Sequence, residues 1–159
     1  MNIWSTLWGK ILMTLFISMV PVIELRGAIP IATANGFNFW AAIVVAIIGN
    51  LIPVPFIIIF IRKIFAWMRS KSQKLDKVVT GLEKRAEKKS DTVQKYAFWG
   101  LFILVAIPLP GTGAWTGALV AAMLEMRLSK AFPAIALGVV GAAVIVAFVT
   151  YGAGALLFG

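Results

Sequence analysis

Two charged residues stand where charge is costly. Glu24 and Arg26 lie between the largely apolar piece Trp4 to Val20 and a short piece through Ala34, and a charge at the centre of a membrane helix costs roughly 2.5–3.5 kcal/mol on insertion scales. As functional groups, Glu24 is a carboxylate able to carry a coupling proton, and Arg26 is a guanidinium able to grip an anionic head group through paired hydrogen bonds to phosphate oxygens. As structural groups, they form a fold-stabilising ion pair or mark an interface. Two residues apart, they point to different faces of an ideal helix. Both face one cavity only if the segment is unwound, as the neighbouring Pro21 and Gly27 allow.

A second interruption runs from Pro108 to Gly113. Pro108, Pro110, Gly111 and Gly113 free backbone groups there, while Thr112, Trp115 and Thr116 add hydroxyls and an aromatic ring. Freed amides at the start of the helix beginning near Ala114 make an anion-contacting end; a plain helix-breaking turn is the alternative. These glycines do not form a nucleotide loop, because the Lys-Ser/Thr ending is missing. Glu125 and Arg127 repeat the Glu-x-Arg spacing ahead of the last apolar run, where a water interface is the expectation, and they are secondary candidates. The substrate-binding and coupling set is therefore Glu24, Arg26, Gly27 and Pro30 with Pro110, Gly111, Thr112, Gly113, Trp115 and Thr116.

The chain has neither cysteine nor histidine. Disulfides, thiolate or imidazole metal sites and the usual nucleophile pairs are closed to it. No catalytic residue, metal or cofactor is expected, and the chain is not expected to be an enzyme.

The elements that must hold these residues are membrane helices. Of 159 residues, 61% are apolar, and the mean hydropathy of +0.96 excludes an ordinary soluble domain. Two runs are long enough to cross a bilayer unaided, Phe37 to Ile61 and Ala131 to about Leu157. Pro53 and Pro55 should bend or break the first. Gly138, Gly141, Gly152 and Gly154 allow close packing of the second. Trp4 to Val20 reads equally as a full span or as half of a re-entrant hairpin, and Ala97 to Ile107 is too short to span comfortably. Asn35, Asn38 and Asn50 are expected to make hydrogen bonds between helices. The N-terminus lacks the pattern of a cleaved signal peptide and is expected to be retained.

The net charge of +9 is concentrated: eleven of the fifteen Lys and Arg lie between Arg62 and Lys95, with four acids among them. Basic excess in a short loop marks the cytoplasmic side of a membrane protein rather than a nucleic-acid partner. Within it Leu75, Val78, Val79, Leu82 and Ala86 recur at helical spacing, with Lys74, Lys77, Lys84, Arg85 and Lys88 around them. This predicts an amphipathic connector helix on the cytoplasmic face.

The halves on either side follow one order: apolar helix, Pro-led break, short small-residue helix, turn, long span. The Pro21 break matches the Pro108 break, and Ile43–Gly49 pairs with Ile135–Gly141. Paired interrupted segments of this kind point to a transporter site near the bilayer midplane.

The segments PVIELRGAIPIATANG, GNLIPVPF and IPLPGTGAWTGALVAAMLEMRLSKAF resemble the family of small multidrug export proteins, over nearly the whole chain. That family is in turn similar to the DedA (SNARE-associated, VTT-domain) superfamily, in which each half places a re-entrant hairpin before a membrane span. The resemblance implies a transporter-like fold moving phospholipid-like or polyprenyl-phosphate carriers, with Glu24 and Arg26 in the place of its membrane-embedded acidic and arginine residues. Pro110 and Gly111 match the second hairpin, but its flanking arginines are absent here.

The expected architecture is an all-α membrane protein of two inverted repeats, each a re-entrant or broken-helix hairpin plus a transmembrane helix. It is a single membrane domain, with residues 1–62 the first repeat, 63–95 the connector and 96–159 the second. The expected function is a multi-pass secondary transporter of the cytoplasmic membrane, moving an amphipathic, anionic, lipid-like substrate with proton coupling. Membrane lipids, a lipid-phosphate or amphipathic substrate and a second copy in a homodimer are the expected partners. Proton-coupled efflux of lipophilic cations and a non-transporting scaffold are the alternatives.

Overall fold

The computed structural model describes residues 2–87 and 90–158, with the side chains of 82–95 and 157–158 outside the description. Lys84, Arg85, Leu82 and Ala86 of the amphipathic reading therefore lie outside the described side chains, and Lys88 lies outside the described residues. Those described form helices and no strands: α1 (Leu7–Met19), α2 (Glu24–Ala34), α3 (Phe39–Leu51), α4 (Pro53–Lys71), α5 (Gln73–Glu87), α6 (Ser90–Ala106), α7 (Ala114–Met123) and α8 (Leu128–Phe158).

Local chemistry sets the boundaries. Thr6 caps α1 by accepting the Gly9 N–H at 3.1 Å, and Asn38 caps α3 by accepting the Ala41 N–H at 3.1 Å. Val20 turns extended ahead of Pro21 and ends α1. At 13 residues α1 rises about 20 Å, short of a typical hydrocarbon core of about 30 Å, and the chain reverses into α2. The polar run Glu24 to Gly27 is not unwound, contrary to the expectation from its prolines and glycine. Residues 20–23 make the break instead, and Glu24 opens α2 with its amide already bonded to the Val20 carbonyl at 2.9 Å.

The proline pair at 53 and 55 interrupts the hydrogen-bond ladder but not the helical path. Ile52 keeps right-handed helical angles (φ −54°, ψ −49°) and its own N–H still bonds to the Ile48 carbonyl at 3.1 Å, so the path stays helical although Pro53 and Pro55 have no N–H to donate. Phe39–Lys71 is thus one apolar run of 33 residues, and Leu128–Leu156 is the other long enough to cross a membrane. The connector narrows accordingly, since α4 runs on to Lys71 and α6 starts at Ser90.

The turns α2–α3 and α7–α8 close identically. The Phe37 N–H bonds to the Ala32 carbonyl and the Met126 N–H to the Ala121 carbonyl, each at 3.0 Å. Gly36 (φ 74°) and Glu125 (φ 51°) take the left-handed position before them. Counted from these two turns Gly49 matches Gly138, whereas the sequence pairing of Ile43–Gly49 with Ile135–Gly141 sets it against Gly141. Both glycines sit where a neighbouring backbone comes close: a Cβ at Gly49 would strike α1 at Leu15 and Ser18, and one at Gly138 would strike α6 at Phe102 and Val105. The contacts agree, with α1 packed on α3 and α6 on α8.

The core is built largely of small residues, including Ala28, Ala46, Ala118, Ala122, Ala134 and Ala143, the composition that lets membrane helices approach closely. Large apolar side chains such as Trp8, Phe16, Trp40, Phe60 and Phe148 face outward, which suits a surface bathed in lipid rather than water.

Candidate functional site

The two chain breaks meet. Arg26, in the first turn of α2, reaches across to the 107–113 loop. Its Nη1 donates to the Leu109 and Thr112 carbonyls, both at 2.6 Å. Its Nη2 donates to the Ile107 carbonyl and to Thr112 Oγ1, both at 3.2 Å. Ile107 ends α6 and carries the negative end of that helix, so a guanidinium there is well placed. Thr112 shapes the loop: Oγ1 accepts the Leu109 N–H at 3.2 Å and lies 2.7 Å from the Ile107 carbonyl.

Glu24 takes the opposite role. It is buried, and its Oε1 accepts the Trp115 N–H at 3.4 Å, placing a carboxylate on the positive end of α7. The approach requires Gly113, because a Cβ at that position would collide with the Glu24 carboxylate. Gly113 also adopts φ 142°, ψ −167°, a conformation essentially reserved for glycine. A third link comes from the Trp115 indole, whose Nε1–H donates to the Met19 carbonyl at 3.0 Å.

Glu24 and Arg26 are thus both matched to main-chain dipoles of the second half. A groove of about 750 Å³ opens beside this junction, between α2 and the distal part of α8. Arg26 and Pro108 stand at one end. Pro30, Thr33 and Ala34 line the α2 side, and Val146, Val149, Thr150 and Ala153 the α8 side. Pro30 has no N–H, so the Arg26 carbonyl loses its helical donor on this wall.

A family model described as "Putative small multi-drug export protein" matches residues 24–145. The chain belongs to that family. Its match begins at Glu24 and so includes Glu24, Arg26, the 107–113 break and α8 as far as Ile145, while the break at residues 20–23 lies just ahead of it. The export-protein family and the two long apolar helices together mark this member as a membrane protein. No curated protein matches the chain, and no solved structure does.

Of the residues singled out from this family member's sequence, Glu24, Arg26, Thr112, Gly113 and Trp115 come together, and Pro30 joins the groove. Pro110 and Gly111 are exposed and shape the loop, and the Thr116 hydroxyl bonds back to the Gly111 carbonyl at 2.8 Å. Gly27 serves packing, since a Cβ there would meet the Ile23 side chain. Glu125 and Arg127 are exposed in the α7–α8 turn, away from the junction, with Glu125 3.8 Å from Arg69.

The asparagines do not bridge helices as expected. Asn35 bonds within its own turn and Asn38 caps α3, while Asn50 is buried with its Oδ1 unpartnered. Sequence reasoning missed Thr33 and the α8 wall of the groove. The available signal was Thr150, the one threonine in the last apolar run. Among the described residues no cluster of three metal-ligating side chains occurs.

Proposed function

We propose that the protein is a small carrier of the cytoplasmic membrane that moves an amphipathic anion along the α2–α8 groove. The observation that carries this reading is the groove's lining: Arg26 is its one charged residue, two threonines add hydroxyls, and the rest is apolar. Such a wall suits an anionic head beside Arg26 and an apolar tail along α8. The family description speaks of drug export; a lipophilic cation would find a guanidinium and no carboxylate in this groove, so an anionic, lipid-like substrate is favoured over the cationic alternative.

The proposed topology is two inverted repeats, α1–α4 and α6–α8, joined by α5 on the cytoplasmic side. In each, a re-entrant hairpin precedes a long span, and the tips meet inside the membrane. The matched turns, the Gly49 and Gly138 crossings and the positive charge of the connector support it. This arrangement also supports a distant kinship to the DedA superfamily. Glu24 is the proposed coupling group. Its protonation removes the negative charge from the end of α7 and loosens the junction, so proton binding and substrate release by Arg26 are linked. A homodimer, bordered by membrane lipids, completes the proposal.

The test is a native mass spectrum of the detergent-purified protein offered phosphate lipids and quaternary ammonium dyes. Selective retention of a phosphate lipid, lost in Arg26→Ala and kept in Arg26→Lys at matched folded yield, is expected. Retention of the dye instead refutes the anionic reading.

A second reading has its own observation. Both terminal nitrogens of Arg26 already hold carbonyls, as a lock in a non-transporting scaffold would. It predicts that Arg26→Ala and Glu24→Gln lower folded yield without changing any bound ligand.

A further inference from the structure

The α2–α8 groove has a counterpart elsewhere in the fold. In the register set by the matched turns, α7 corresponds to α2, and α4 continues α3 as the distal half of α8 continues its first half. The counterpart of the open groove is therefore the seam between α7 and α4. Here the two differ. α7 packs closely along α4, and Val54 and Ile58 of α4 are wholly buried, whereas α2 stands off α8.

At its connector end the packed seam is also bridged by a side chain. Arg62 Nη2 donates to the Met126 carbonyl, at the turn that follows α7. Arg69 lies 3.8 Å from Glu125 of the same turn, but both are substantially exposed, so that pair contributes little. Arg62 also leaves its Nε buried and unpartnered, as does Arg26. A buried unsatisfied donor demands an explanation. Here the two arginines share one: each bonds through its terminal nitrogens to carbonyls of the second half, and each keeps a donor unused.

We propose that α4 and α7 form a second groove facing the connector side, shut in this conformation by Arg62 on the Met126 carbonyl. The groove opens when the α2–α8 groove closes, and it offers Arg62 to the same amphipathic anion. The inference rests on the carrier reading. Its physical basis is that packed helices hold discrete arrangements rather than deforming continuously, and that inverted repeats exchange such arrangements around a shared centre. Arg26 and the 107–113 loop it holds form that centre, since Arg26 and Pro108 stand at one end of the open groove.

The natural chain has no cysteine, so single cysteines report one position each. Ile58→Cys places a thiol in the closed seam, and Ala153→Cys places one in the open groove. Both are labelled with a membrane-impermeant maleimide in oriented vesicles, with no substrate present, in the otherwise natural chain and with Arg62→Ala added. The thiol at 153 is expected to react from the side opposite the connector, and the thiol at 58 to stay protected. Adding Arg62→Ala is expected to raise the rate at 58 from the connector side by about tenfold or more, the shift that losing one charge-assisted hydrogen bond produces, and to lower the rate at 153.

A rise at 58 without a fall at 153 overturns the proposal, as does no change at either. Where Arg62→Ala does not fold, judged by size-exclusion profile and melting temperature, Arg62→Lys is read instead. A reciprocal change at the two thiols then supports the exchange, and its absence overturns it. Reciprocal labelling with no phosphate-lipid binding leaves the exchange standing and rejects only the substrate.

Discussion

Gly113→Ala is the sharpest test of the junction, because two costs meet at one methyl group. The first is backbone strain: φ 142°, ψ −167° lies where an L side chain is disfavoured. The second is electrostatic, since the new Cβ would occupy the place of the Glu24 carboxylate and push it off the Trp115 N–H. Holding a strained backbone costs about 1–3 kcal/mol, and losing a hydrogen bond to a charged group about 1.5–3 kcal/mol, so the variant should lose roughly 2.5–6 kcal/mol. Thermal unfolding in detergent measures the loss, and a cycle with Glu24→Ala separates its parts. With the carboxylate gone, Gly113→Ala should cost only the strain, giving a coupling of about 1.5–3 kcal/mol. Full additivity of the two substitutions would refute the view that Gly113 is glycine for the sake of Glu24.

Other expectations follow from single contacts. Trp115→Phe removes the bond to the Met19 carbonyl together with part of the indole's packing, so it should cost at least about 0.5–1.5 kcal/mol by the same unfolding assay. Gly138→Ala crowds the Phe102 carbonyl and Val105 and should cost about 1–3 kcal/mol, whereas Gly152→Ala, with nothing near its Cβ, should be neutral or mildly stabilising in the same measurement. Glu125→Ala removes a long, exposed ion pair and should shift stability by less than about 1 kcal/mol. Thr150→Val preserves shape and removes a groove hydroxyl, so retention of a phosphate lipid in the native mass spectrum should fall while the melting temperature holds.

The places where the helices stop were legible, because Pro21 and the 108–113 cluster act through local backbone chemistry that needs no tertiary context. Their exact consequences were less so. Glu24 to Gly27 read as unwound from composition, yet Pro21 ends α1 early enough for the next helix to begin at Glu24. The partners of Glu24 and Arg26 were only partly legible: the freed amides near Ala114 and the Thr112 hydroxyl were candidates, but the pairing of those amides with Glu24, and of the 107–112 carbonyls with Arg26, rests on main-chain groups that every residue carries. Thr33 and Thr150 were unreadable as a pair, since only the packing of α2 beside the distal part of α8 brings them together. The sequence pairing and the pairing of the two turns differ by three residues, because runs of Ile, Val and Ala match one another at many offsets, whereas the left-handed turns at Gly36 and Glu125 match at one.

That the hydrogen bonds of Glu24 and Arg26 run chiefly to main-chain atoms of the second half bears on genetic repair. An ion pair between two side chains can be restored by exchanging them, but exchanging the charges at positions 24 and 26 would set a cation against the Trp115 amide and an anion against the Ile107, Leu109 and Thr112 carbonyls, because amide and carbonyl polarity do not mutate. Suppressors of Arg26→Ala should therefore arise through backbone shape, at Pro108, Pro110 or Gly111, and charge-swap revertants should be missing from any selection.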